Sequence, residues 1–180
     1  MAATRLKSLA GVRIPDTKLA NAALDLLEAT SPHFLFNHCL RTYVFGSLAV
    51  RAAGREVVDE EIAFCGALLH DLGLVPTYTG SNRFEVDGAD AARRFCLEHH
   101  LSPQRADRVW EAIALHTSAG IASRMAAEIA VVHFGAGLEV ISLRRTVEPI
   151  RPHRSSPGRT TLLAPTGARC MASPFQQPPN

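Results

Sequence analysis

A chain of 180 residues, 47% apolar and 20% charged, is long enough for one domain with a real hydrophobic core and short for two. The formal net charge of +2 conceals an asymmetry. Residues 144–180 hold six of the nineteen Lys and Arg and only Glu148 among the acids, so residues 1–143 carry 13 basic and 16 acidic groups, a net of −3. A basic tail on a mildly acidic body leaves no footprint for nucleic-acid binding, and no stretch reaches the roughly 18–20 apolar residues of a membrane span. Cys39, Cys65, Cys96 and Cys170 have no CxxC spacing, and MAATRLKSLAGVRIPD lacks the apolar core of a secretory leader. Both point to reduced thiols in a soluble, cytoplasmic protein.

Asp16 is the expected N-cap of a first helix, with Leu19, Ala22, Ala23, Leu26 and Leu27 forming a stripe of period 3.6. Pro32 suits the first turn of a second helix that runs to about Gly54. Asp59 caps a third, which passes through Ile62, Phe64, Ala67 and Leu68 to LLHDLG at 68–73, where Gly73 acts as a helix stop. Residues 73–86 read as a long loop, a feature that is often functional in a small domain. A fourth helix begins at Asp87, at the mild cost of Gly88 in its first turn, and Ser102-Pro103 starts a fifth that Gly120 stops. A sixth spans about Ser123 to Ser142. No segment alternates with β-branched enrichment, so the fold class is an all-α bundle of about six helices over 1–143.

The pattern breaks after about Leu143. Seven of the eleven prolines fall in the last 37 residues, and a helix cannot persist through them. Residues 144–180 are therefore expected to be disordered or atypical. An ordinary tail has this composition, and so would a departure from the original reading frame. In the second case another frame of the gene would continue the helical pattern beyond codon 143.

The chemistry-bearing residues lie inside the body. His38 sits in FNHCLRTY with Arg41 and Thr42 one turn on, on the same face. His70-Asp71 follows 32 residues later, at the end of an apolar run. Neighbouring residues on a helix project about 100° apart, so this pair can serve one ion only if other segments close the far side. His116 follows the apolar Ile113, Ala114 and Leu115, and Glu139 ends the apolar IAVVHFGAGLEV, where an unpaired buried carboxylate would cost several kcal/mol. One metal ion liganded by His, His, Asp and Glu would satisfy such positions together. Elsewhere the ordinary readings lead. His133 reads as a core residue or a support for the site, His99-His100 as exposed at a helix end, Trp110 as a core or groove aromatic, and Glu85 and Asp87 as capping and loop residues.

The order of His38, His70-Asp71 and a late acid resembles the HD-domain superfamily of metal-dependent hydrolases. More narrowly, FNHCLRTYVFG, ALLHDLG, RFEVDGADAARRF, AIALHTSAGIA and GAGLEV together resemble the cyanamide hydratase-like branch, over roughly residues 15–142. The resemblance implies a helical bundle holding one divalent ion, zinc first, with iron, manganese or cobalt as alternatives. It implies His38, His70 and Asp71 as ligands, with Glu139 where the family usually has Asp, one methylene shorter. His116 and Thr117 match the segment near the substrate. His116 is then the proton shuttle, Asp71 orients water as well as ligating, and Arg41 steadies the site or binds a substrate anion.

The implied activity is addition of metal-activated water to a small molecule, cyanamide or a related nitrile. Two alternatives stand beside it: a phosphohydrolase acting on a nucleotide or phosphate monoester, and a catalytically impaired HD protein. The partner is a small-molecule substrate, and assembly into a homo-oligomer is left open.

Overall fold

The structure, a computed structural model, describes residues 7–147, with side chains described as far as Ile141. Six helices carry the fold among the described residues: α1 (Lys18–Thr30), α2 (His33–Ala52), α3 (Glu60–Leu69), α4 (Phe84–Glu98), α5 (Pro103–Ala114) and α6 (Ala127–Val147). The all-α reading therefore holds. The only strands among the described residues form a hairpin, β1 (Ser8–Leu9) with β2 (Val12–Arg13), in which Ser8 faces Arg13 and Leu9 faces Val12. Its turn is Ala10-Gly11, both at positive φ, as a tight hairpin connection requires. Strands this short leave no alternation to read.

Helix α3 is the centre of the bundle. Every residue from Ile62 to Leu69 is buried, including Phe64, Leu68 and Leu69, so the helix is apolar on all faces rather than along one stripe. Each large side chain enclosed there contributes about 1.5–3 kcal/mol relative to exposure. Helices α1, α2, α5 and α6 pack around it. Asp59 caps its start as the sequence predicts, accepting from the Ile62 N–H at 3.2 Å. The buried Glu128 of α6 accepts from the Val58 and Asp59 amides at 3.0 and 2.9 Å, which ties α6 to the same helix start.

Several boundaries differ from the sequence-based ones, for local reasons. Thr17, not Asp16, caps α1, accepting from Ala20 N–H at 3.1 Å, while Asp16 accepts from the Asn21 side chain instead. Pro32 precedes α2 as its N-cap, and the helix ends two residues before Gly54, which takes φ +70°. Helix α4 starts three residues before Asp87, at Phe84. Asp87 accepts from the Gly80 amide and the Asn82 side chain, so it closes the preceding loop. Helix α5 ends at Ala114, which leaves His116 and Thr117 in the turn that follows. Helix α6 begins at Ala127 after a short 3-10 turn at Ala122–Arg124, and it continues through Val147, past the break in composition. The remainder of the expected tail, from 148 on, lies outside the described residues.

Glycines set the two close approaches that matter for the site. Helices α2 and α6 run together so closely that a Cβ on Gly46 would overlap the Val131 carbonyl, and one on Gly135 the Thr42 carbonyl. Gly73 is not a helix stop. It lies within a 3-10 turn, Leu72–Leu74, where a Cβ would overlap the Phe84 carbonyl. Gly88, whose Cβ would stand 2.8 Å from the Gly73 nitrogen, lets the first turns of α4 lie against the segment after His70-Asp71.

This geometry separates glycines that look alike in sequence. Gly46→Ala and Gly135→Ala are expected to lower stability by about 1–3 kcal/mol through overpacking. Gly137→Ala, where nothing lies within 4 Å of the added methyl, is expected to raise it by about 0.5–1 kcal/mol. Urea unfolding of the three variants measures the difference.

Candidate metal centre

The apolar run of α3 ends at Leu69, and His70 and Asp71 come just after the last helical turn. This resolves the problem of adjacent ligands. In a continuing helix they would diverge by about 100°, whereas in the turn both face one point, with His70 Nε2 3.3 Å from Asp71 Oδ2. His38, delivered from α2, brings its Nε2 to 3.1 Å from His70 Nε2 and 3.3 Å from Asp71 Oδ2. Ligand atoms of these three residues all lie within 4.8 Å of one another, a group able to hold a metal ion.

The three imidazoles around this point, from His38, His70 and His116, share one arrangement. His70 Nδ1 donates to the Ala67 carbonyl at 2.9 Å, and His116 Nδ1 to the Ile113 carbonyl at 2.7 Å. His38 Nδ1 donates to Glu139 Oε2 at 3.0 Å. A carbonyl oxygen or an ionised carboxylate can only accept, so in the neutral rings the proton sits on Nδ1 and Nε2 presents a lone pair. Two such lone pairs, on His38 and His70, then face each other at 3.1 Å beside a carboxylate. That contact is stable only around a cation. A divalent ion that takes imidazole nitrogen and carboxylate oxygen fits the donor set.

The ion-free electrostatics agree. Burial works against the His70 imidazolium, yet the Asp71 carboxylate beside it prevails and raises the His70 pKa well above its ordinary value. Burial likewise pushes Asp71 up, but the His70 charge and the hydrogen bond from His70 outweigh it and hold Asp71 well below the usual carboxylate range. Without a metal, a proton on His70 serves as the cation. His116 behaves in the opposite way: burial, then the nearby His70 charge, lowers its pKa to about 4, below the unperturbed value from which the proton-shuttle role is argued. It is neutral at pH 7, with Nε2 3.9 Å from Asp71 Oδ1.

The other sequence candidates fall around this group in distinct ways. Glu139 is 2% exposed but does not join His38, His70 and Asp71 around the common point. Its Oε1 accepts from Arg41 Nε at 2.8 Å and Nη2 at 2.5 Å, and its Oε2 from the far nitrogen of His38. Burial pushes the Glu139 carboxyl up, and the bonds from Arg41 and His38 bring it below its ordinary value. Arg41 is thus committed to Glu139. Thr117 donates to Glu85 Oε1 at 2.7 Å. His133 is half-buried, its Nδ1 donating to the His116 carbonyl at 2.7 Å. Trp110 packs against the core at one edge and donates to Asp90 at 2.7 Å, and His99 and His100 are exposed.

Glu85 is the residue that sequence reasoning undervalued. It is buried at the start of α4, accepting from Arg83 at 2.6 Å and from Thr117. Burial raises its carboxyl, but these two partners outweigh it and bring the pKa down to about 2. An acid directly after Phe84 in the first turn of a helix has the signature of a cap, and nothing local marks it as the anchor of a residue 32 positions away.

Over this group opens a cleft of about 590 Å³, floored by His38, His70, Asp71 and His116 and walled by Leu74, Phe84, Val140 and Ile141. Fold and cluster together define the class: a helical domain with a partly buried His-His-Asp group suited to a divalent ion. The HD domain family model matches residues 35–152, well over half of the chain and all of the site, and the chain belongs to that family. HD domains bind divalent metals and are generally metal-dependent hydrolases. No curated protein matches the chain. No helix among the described residues is long and apolar enough to cross a membrane.

Metal uptake at pH 7 is expected to release about one proton per site, because an ion must displace the proton that Asp71 keeps on His70. The raised His70 pKa fixes the sign. Affinity climbs by about tenfold per pH unit while His70 is protonated in the ion-free protein, and it levels off above that pKa. Chelator-competition titrations across that range check it, and an affinity independent of pH would contradict it.

Proposed function

We propose that the protein is a metal-dependent hydratase or hydrolase that adds water to a small neutral molecule, a nitrile of the cyanamide type being the favoured substrate. The observation that carries this reading is the lining of the cleft: among the described residues it contains no Lys or Arg, while its upper wall is Leu74, Phe84, Val140 and Ile141. Among the described residues, the nearby Arg41 and Arg83 are engaged by Glu139 and Glu85. A substrate with phosphate charge would meet no free cationic partner in that lining. A cleft of about 590 Å³ also exceeds what cyanamide alone needs, which favours a nitrile bearing an apolar substituent.

A divalent ion held by His38, His70 and Asp71, with zinc the first choice, supplies Lewis acidity and brings the ionisation of water towards neutral pH. The chain's own residues supply the rest. Asp71 turns Oδ2 to the two histidines and Oδ1 towards His116 Nε2, 3.9 Å away, so one water can donate to both. His116, neutral at pH 7, accepts the proton from that water and returns it to the nitrogen of the substrate. The Thr117 hydroxyl gives its hydrogen to Glu85, so it offers only lone pairs to the cleft and can accept an N–H of the substrate or product.

The phosphohydrolase reading is favoured by one feature, the exposed Arg83 within 3.5 Å of Thr117. Assay of the zinc-loaded protein separates the two. Urea from cyanamide, or an amide from a larger nitrile, is expected without phosphate release from nucleotides, and the reverse pattern overturns the hydratase reading. His116→Gln is expected to lower kcat by about 10²–10⁴-fold with little change in metal content. A protein that retains no stoichiometric metal would instead be the impaired member of the family.

A further inference from the structure

We propose that Glu139 is a positioning residue rather than a ligand. With Arg41 it clamps His38 in the tautomer that turns a bare Nε2 inwards, and three protein ligands, His38, His70 and Asp71, complete the centre. The inference rests on the reading of that group as a metal site, and it differs from the four-ligand set implied by the order of motifs.

Three observations carry it. First, both oxygens of the carboxylate already have partners. Oε1 accepts twice from Arg41, at 2.8 and 2.5 Å, and Oε2 faces His38 Nδ1 at 3.0 Å, on a side chain that is 2% exposed. Second, it meets His38 at the wrong edge for a ligand. The common point lies at Nε2, which faces His70 and Asp71, and Glu139 stands behind the ring at Nδ1. Such a carboxylate fixes the tautomer and orientation of a metal-binding imidazole and makes it a better donor.

Third, the backbone sets the distance. His38 and Arg41 lie one turn apart on the same face of α2, and Glu139 lies one turn beyond Gly135, whose missing Cβ allows contact with the Thr42 carbonyl. One of the two close approaches of α2 and α6 therefore falls beside the clamp. An ion that drew Glu139 to itself would strip Arg41 and His38 of their shared acceptor.

The test uses the full chain, Co²⁺ as the probe, and Glu139→Gln, which keeps the shape of the side chain but removes its charge. Wild type and Glu139→Gln are both expected to bind one equivalent of Co²⁺ with the same ligand-field spectrum, while chelator competition gives a Kd weakened by about 10–100-fold in the variant. His38→Ala, which removes a ligand, is expected to change the spectrum. A Glu139→Gln spectrum of different coordination number, or loss of the bound equivalent from a folded variant, overturns the inference alone.

Wild type that takes up no Co²⁺ overturns the metal reading itself and the inference with it. A second readout needs neither metal nor variant: imidazole ¹⁵N shifts of the ion-free wild type are expected to put the His38 proton on Nδ1. A His38 proton on Nε2 alone overturns the clamp.

Discussion

The contact on which most of the site depends is the approach of α2 to α6 at Gly46 and Gly135. Each glycine accepts the carbonyl of the other helix, at Val131 and Thr42, into the space of its own missing Cβ. Backbones that close fix the relative height of the two helices to within a fraction of a turn, because any side chain larger than hydrogen would force them apart. His38 and Arg41 on one helix and Glu139 on the other owe their pairing to that constraint. A second glycine pair, Gly73 and Gly88, does the same where α4 meets the turn after His70-Asp71, and it brings Glu85 and Phe84 to the opposite wall.

Within that frame the histidines are differentiated by their surroundings rather than their type. His38, His70 and His116 all give the Nδ1 proton away and keep Nε2 for the cleft. The backbone carbonyls that receive two of these protons belong to the last turns of α3 and α5, each three residues before its histidine. Helix ends have carbonyls without intrahelical partners, so the same termination that releases each histidine from the helix also supplies the acceptor that orients it. His38 lies mid-helix, where carbonyls are already used, and needs a carboxylate from another segment. Charge then splits the set. Beside Asp71 His70 favours the proton, whereas His116, buried and facing His70, refuses it.

The cleft follows the same division of labour. Its floor is polar, its walls are apolar, and two arginines near it among the described residues, Arg41 and Arg83, are held by the buried acids Glu139 and Glu85. In the proposed reaction that surrounding suits a neutral substrate, with Thr117 as a hydrogen-bond acceptor and His116 as the proton carrier.

The sequence by itself determined the all-α class, the buried third helix, the caps at Asp59 and Ser102-Pro103, and the candidates His38, His70, Asp71, His116 and Thr117. These rest on local signals, namely period, capping chemistry and polar residues stranded in apolar runs, except Thr117, which rests on the resemblance to the HD family. Only the tertiary structure decided where Glu139 goes, why Gly73 is a glycine, that α4 starts early enough to bury Glu85, and which helix ends free His70 and His116. Those outcomes depend on distances between segments far apart in the chain. Glu139 and Arg41 are 98 residues apart, and nothing around either one states which of two nearby acceptor roles a carboxylate will fill. A one-dimensional pattern records that a buried acid needs a partner. The crossing of two helices decides which one it gets.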